Sequence, residues 1–239
     1  MNVIANELLF SFAHTKMKKY FFFSVLAAVV ILSSCAPSRL VRPLEKGQKI
    51  ISANLGGPLI GFSGKIIPVP LSSIMYAQGL KENTSVFGSL HTTSLLFGVI
   101  QTDIGICRRV YYNDSLRLGV SVTPALNLAI DKWEWHSKCW PQLDVNVYRE
   151  CRSKKSFYYA GMENWIELAM NRADGTTQKQ HWIFAPQAGF TYCRKKWNYN
   201  IEMKYIAPNI SNLLSVVDYK GIGGKGAMAL YFTFTRKIK

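Results

Sequence analysis

The feature that most constrains this chain is an alternation of apolar and polar residues with a period of two, recurring from about residue 48 to the C-terminus. In the clearest stretch, Leu116, Leu118, Val120, Val122, Leu126, Leu128 and Ile130 share one face. Arg117, Gly119, Ser121, Thr123, Ala125, Asn127 and Ala129 share the other. Tyr199, Ile201, Met203 and Tyr205 alternate with Asn198, Asn200, Glu202 and Lys204, and Met228, Leu230, Phe232 and Phe234 with Ala229, Tyr231, Thr233 and Thr235. Successive side chains of a strand point to opposite faces, whereas a helix returns to one face every third or fourth residue. The chain is therefore built from strands, and no helical pattern of any length competes beyond the first 35 residues.

With weaker runs included, the alternation predicts about ten strands, near residues 48–56, 72–79, 84–92, 98–110, 116–130, 141–152, 156–169, 181–193, 197–206 and 225–237. Connections near 81–83, 113–114, 152–155 and 194–196 are short; those near 57–71, 131–140, 170–180 and 207–224 are long. An even number of strands with short turns at one end and long loops at the other resembles bacterial outer-membrane β-barrels. The resemblance implies an all-β fold, an antiparallel up-and-down β-barrel of about ten strands (8–12), with both termini on the periplasmic side. Closure would pair every backbone group and leave no edge strand. Pro124 and Pro186 each remove a ladder donor in mid-strand and predict bulges or an irregular wall. Asn164 falls on an otherwise apolar face.

Alternation alone does not say which face is outside, since a soluble barrel buries its apolar side and a membrane barrel exposes it. Three features favour the membrane arrangement. The polar faces carry small residues, Asn and acids rather than the Lys/Glu-rich surface of a soluble protein. The strands are long enough for a tilted bilayer crossing. Aromatics gather at strand ends, as at Tyr111, Tyr112, Trp133, Trp135, Trp140, Trp165, Trp182 and Trp197.

Ahead of the strands, Lys18 and Lys19 precede an apolar run from Tyr20 to Leu32 that is short for a membrane span and ends in small residues. This is the pattern of an export signal starting at Met17. Its end, Leu32-Ser33-Ser34-Cys35, resembles the lipobox of bacterial lipoproteins, which implies cleavage before Cys35 and an acyl anchor on its thiol. In that family an Asp directly after the cysteine favours inner-membrane retention; Ala36 gives no such signal, so the resemblance implies the outer membrane. The expected organisation is an export signal over residues 1–34, a lipid-anchored tether over 35–47 and one barrel domain over 48–239.

The net charge of +15 ordinarily suggests nucleic acid or an anionic surface, but export argues against nucleic acid. The expected partner is membrane lipid, at Cys35 and along the barrel wall. Cys107, Cys139, Cys151 and Cys193 permit disulfides in an exported protein, at spacings that fit no metal motif. A structural or unpaired role suits them best.

With apolar faces outward, the interior receives Asp103, Asp144, Glu150, Glu163, Glu167 and Glu202, with Arg117 and Lys204 as counter-charges. Such a set could form a cation-preferring lumen or a divalent-ion site; a salt-bridged filling of a narrow interior is the plainer expectation. Trp133, Trp135, His136 and Trp140 mark one long loop as a contact surface, although interfacial anchoring explains the same tryptophans. His91, His136 and His181 follow no metal spacing, no nucleophile elbow is present, and Gly221–Gly226 precedes a strand rather than a helix. No cofactor, metal or catalysis is expected; the expected role is structural, binding or small-solute, with a small solute or an envelope component as the further partner. Two alternatives stand beside the membrane barrel: a soluble periplasmic lipoprotein binding an apolar ligand, without the Gly-x-Trp signature of lipocalins, and a barrel-embedded lipid-modifying enzyme.

Overall fold

The structure, a computed structural model, describes residues 38–133, 135–152, 156–171, 177–213 and 217–238. The export signal and Cys35 lie outside the described residues. Eleven strands follow one another: β1 (Lys49–Phe62), β2 (Lys65–Pro68), β3 (Leu71–Lys81), β4 (Thr84–His91), β5 (Val99–Asn113), β6 (Leu118–Asp131), β7 (Ser137–Glu150), β8 (Phe157–Ile166), β9 (Trp182–Cys193), β10 (Trp197–Ser211) and β11 (Lys225–Ile238). Ten of them form one antiparallel sheet in chain order, and β1 pairs with β11 from Lys49–Ile238 to Pro58–Ala229. The sheet is a closed ten-stranded barrel, as the alternation predicts.

The additional strand β2 is an outgrowth of β1, paired with it from Leu59–Pro68 to Phe62–Lys65. Their connection is the two-residue turn Ser63-Gly64, both residues having positive φ (49° and 76°), the geometry that hairpin turns of this length require. The first strand thus runs on to Phe62, through Gly56-Gly57-Pro58, which reads as a breaker in sequence. Gly56 is required there because a Cβ would lie 2.1 Å from the Leu230 carbonyl oxygen. A one-turn helix, α1 (Thr92–Leu96), joins β4 to β5; five residues are too few to show a helical period.

The two prolines are handled differently. The β5–β6 register passes from Gly105–Ala125 to Arg108–Val122 around Pro124 without shifting, and the bulge lies further on, between Arg109 and Tyr111. The β9–β10 ladder stops at Lys204–Gln187, just short of Pro186. Beyond that point β10 departs from regular pairing, with Ala207 at positive φ and a register shift against β11.

The faces are those of a membrane barrel. Asn127 is 0 % exposed and its neighbour Leu126 is 46 % exposed. Leu55, Ile74, Ile104, Val145, Met162, Ile201 and Phe232 point outward in the same way, while Ser52, Asn54, Ser121, Thr123, Asn146 and Thr233 are buried inside. Asn164, the polar residue on the outer face, donates to the Leu143 carbonyl at 2.9 Å and accepts from Trp182 Nε1 at 3.1 Å.

The interior near the short turns is partly apolar. Tyr148, Phe157, Tyr159 and Cys193 form one cluster with Val41; Ile50, Met75, Ala77, Phe87 and Ala125 form another, against which Leu40 and Leu44 pack. Large rings fit because small residues face them: a Cβ on Gly119 would sit 2.3 Å from the Tyr148 ring. Gly119→Val should therefore destabilise the barrel by about 1–3 kcal/mol through overpacking, read as a lower urea midpoint for loss of the folded band. An unchanged midpoint would mean that the ring is free to move.

Candidate functional site in the barrel interior

The interior is organised around a residue from outside the barrel strands. Residues 38–45, part of the segment expected as a tether, run through the lumen, where Ser38, Arg39 and Val41 are buried. Wall side chains hold this segment by its backbone: Ser121 Oγ donates to the Val41 carbonyl at 2.5 Å, Thr123 Oγ1 to the Leu40 carbonyl at 3.4 Å, and Leu44 N–H donates to Ser85 Oγ at 2.7 Å. Asn200 Nδ2 donates to Ser38 Oγ at 3.1 Å. The segment adds no strand to the sheet.

Arg39 joins three strands. Its Nη1 donates to both Asp144 oxygens at 3.0 and 3.1 Å and to Glu163 Oε1 at 3.0 Å. Its Nη2 bonds Gln142 Oε1 and lies 3.7 Å from Asp103 Oδ1. Burial alone would lower the Arg39 pKa, but the carboxylates of Asp144, Glu163 and Asp103 outweigh it and hold the guanidinium above its ordinary value. Glu163 is the shared anchor: its Oε2 accepts from Lys204 Nζ at 2.7 Å and its Oε1 from Trp165 Nε1 at 2.5 Å. Lys204 Nζ lies 3.5 Å from Glu202 Oε1, and Glu202 Oε2 accepts from Tyr159 at 2.6 Å. Asp103 accepts from Ser89 at 2.9 Å and Asn127 at 2.6 Å, and His91 Nε2 lies 2.8 Å from it.

Of the expected interior set, Asp103, Asp144, Glu163, Glu202 and Lys204 come together. Glu150 sits at the short-turn mouth, half-buried, and pairs with Arg42 at 2.8 Å. Glu167 lies beyond the end of β8, which stops at Ile166, and its Oε2 accepts from Trp140 Nε1 at 2.8 Å at the long-loop rim. Arg117 occupies the turn before β6, at positive φ, where its carbonyl accepts from Glu150 N–H. It is no interior counter-charge; Arg39 takes that place. The missed cation had a signal in sequence: an interior with several acids and too few bases asks for another base, and Arg39 stands within a mixed basic and apolar run, Arg39-Leu40-Val41-Arg42.

In the expected contact loop, Trp133 and Trp135 are largely exposed and the His136 carbonyl accepts from Asp131 N–H. Trp140 belongs instead to β7, which begins at Ser137 because its register with β6 continues through Asn127–Trp140 to Ile130–Ser137. Pro141 is tolerated there just past the β7–β8 ladder, whose first pair is Gln142–Trp165. The four described cysteines, Cys107, Cys139, Cys151 and Cys193, are free thiols.

No family model matches the sequence, and no curated protein matches it. Among solved structures, the chain is similar to the translocator domain of the autotransporter NalP from Neisseria meningitidis, at 11% identity and TM-score 0.43 over 95% of this chain and 97% of that one. It is also similar to an outer membrane channel from Pseudomonas putida F1, at 9% identity and TM-score 0.39 over 85% and 100%, and to the outer membrane protein OprG from Pseudomonas aeruginosa, at 11% and 0.30 over 83% and 99%. Likenesses this distant carry no functional inference, and the barrel stands on its own ladder.

The buried cluster ties β5, β7, β8 and β10 to the segment before β1. Removing one member of a buried ion network leaves its partners uncompensated and costs about 3–5 kcal/mol, whereas an exposed pair is worth about 1 kcal/mol or less. Glu163→Gln should accordingly lower stability by several kcal/mol, and Glu150→Gln, at the open mouth, by far less. Equal effects in equilibrium unfolding would contradict the cluster's central place.

Proposed function

We propose that this protein is a lipid-anchored outer-membrane β-barrel, closed at rest by its own residues 38–45, with a structural or binding role carried by its surfaces rather than by catalysis. The observation that carries the reading is Arg39, fixed across the lumen on Asp144, Glu163 and Gln142 by a segment whose apolar residues pack on the inner wall. Passage of a small solute requires that segment to leave. The outward apolar band supports a bilayer as the surrounding solvent, and the apolar clusters of the interior are occupied by Leu40, Val41 and Leu44 of the chain's own segment. Lys49 and Ile238 pair at the short-turn end, and that end is assigned to the periplasm, where an acyl chain on Cys35 would enter the membrane.

In planar bilayers the wild-type protein should show no steady conductance, and deletion of residues 38–45 should yield a pore that prefers cations because Asp103, Asp144, Glu163 and Glu202 then outnumber Lys204. A stable open wild-type pore would defeat the proposal. The anchor is tested separately: Cys35→Ser should abolish incorporation of a fatty-acid probe and leave the precursor uncleaved, and normal processing of that variant would exclude the lipobox.

A further inference from the structure

Among the described residues, the exposed arginines of the barrel wall gather at the short-turn end of the apolar band, while the long-loop end carries lysines instead, at Lys65, Lys132, Lys138 and Lys225. Lys49 opens β1, Arg149 is the penultimate residue of β7, and Arg236 lies two residues before the end of β11. Arg194 follows β9 directly, and Arg108 pairs with Thr84, the first residue of β4. All five are exposed. Strand alternation puts them on the apolar side of the wall: Arg108 continues Ile104 and Ile106, Arg149 continues Val145 and Val147, and Arg236 continues Phe232 and Phe234. They are therefore not the lumen charges described above.

Among the described residues, none of the five has a carboxylate partner; in the described ion pairs the carboxylates go to Arg39, Arg42, His91, Lys204 and Lys220. Of the acids near this end, Glu82 and Asp114 lie in turns, Glu45 lies in the segment before β1, and Glu150 is taken by Arg42. A soluble surface intersperses both signs; this wall presents one. Aromatic rings sit among the cations, with the Arg194 guanidinium 5.4 Å from the Tyr192 ring centre and that of Arg236 5.8 Å from Trp197. Exposed Tyr158 and Tyr199 stand nearby on the same face. Aromatic rings of this kind mark the headgroup level of a bilayer, and guanidinium groups held there match phosphate in charge and geometry.

We infer that this belt binds the phosphates of anionic glycerophospholipids in the leaflet at the short-turn end. The inference rests on the membrane reading above and adds the headgroup class. Full-length protein is folded into phosphatidylcholine vesicles with and without phosphatidylglycerol, folding is scored by heat-modifiable gel mobility, and retained lipid is counted by native mass spectrometry. Phosphatidylglycerol should stabilise the wild type and remain bound to it. The combined variant Arg108→Gln, Arg149→Gln, Arg236→Gln should fold in phosphatidylcholine yet lose the phosphatidylglycerol effect, by about fivefold per arginine in the folding equilibrium. Lys195→Gln with Lys196→Gln, which neutralises the turn beyond the wall, should keep most of it. An equal phosphatidylglycerol effect in wild type and triple variant, or an equal loss in the turn variant, overturns the belt. Failure of the wild type to fold into either vesicle overturns the membrane reading instead.

Discussion

Everything in this structure depends on closure of the ladder between β1 and β11. A sheet with an apolar outer face cannot leave an edge in hydrocarbon, because each unpaired backbone group there costs several kcal/mol, of the order of a whole stabilising interaction. Pairing Lys49 with Ile238 and onward to Pro58 with Ala229 removes the edge. It also fixes which residues face in, since a one-residue slip would turn every side chain over. The polar interior and the apolar wall are two consequences of one register.

Closure creates its own difficulty, which is a narrow interior lined with acids. Asp103, Asp144, Glu163 and Glu202 come from four different strands, and among the described residues of the wall they face one buried lysine, Lys204, and one buried histidine, His91. The segment before β1 meets that charge with Arg39 and covers the inner apolar clusters with Leu40, Val41 and Leu44. The closed wall and the segment lying in its lumen are thus coupled, because the carboxylates that the register turns inward are the ones that hold Arg39.

Much of this was legible in the alternation. The ten barrel strands, the long β6 with Leu126 out and Asn127 in, and the inward acids on β5, β7, β8 and β10 all follow from a period of two. The errors lie where period two says nothing. Arg117 alternates correctly yet sits in a turn, because parity cannot tell where a strand begins. The extension of β1 through Gly56-Gly57-Pro58 was hidden because its glycine answers to a neighbouring backbone rather than to a turn. Arg39 was hidden because a short segment that docks through side chains has no period at all. Its presence could be read only indirectly, from the surplus of acid inside.

The central claim is that the apolar face meets lipid, and adjacent residues of β11 test it most directly. Phe232 points outward and is 37 % exposed, while Thr233 is 7 % exposed and its Oγ1 donates to Asn54 Oδ1 at 2.5 Å inside the barrel. An environment-sensitive label placed at each position in turn, in protein folded into vesicles, should be quenched by lipid-borne quenchers at 232 and not at 233. Quenching at neither position, in protein that stays folded without detergent, would contradict the account.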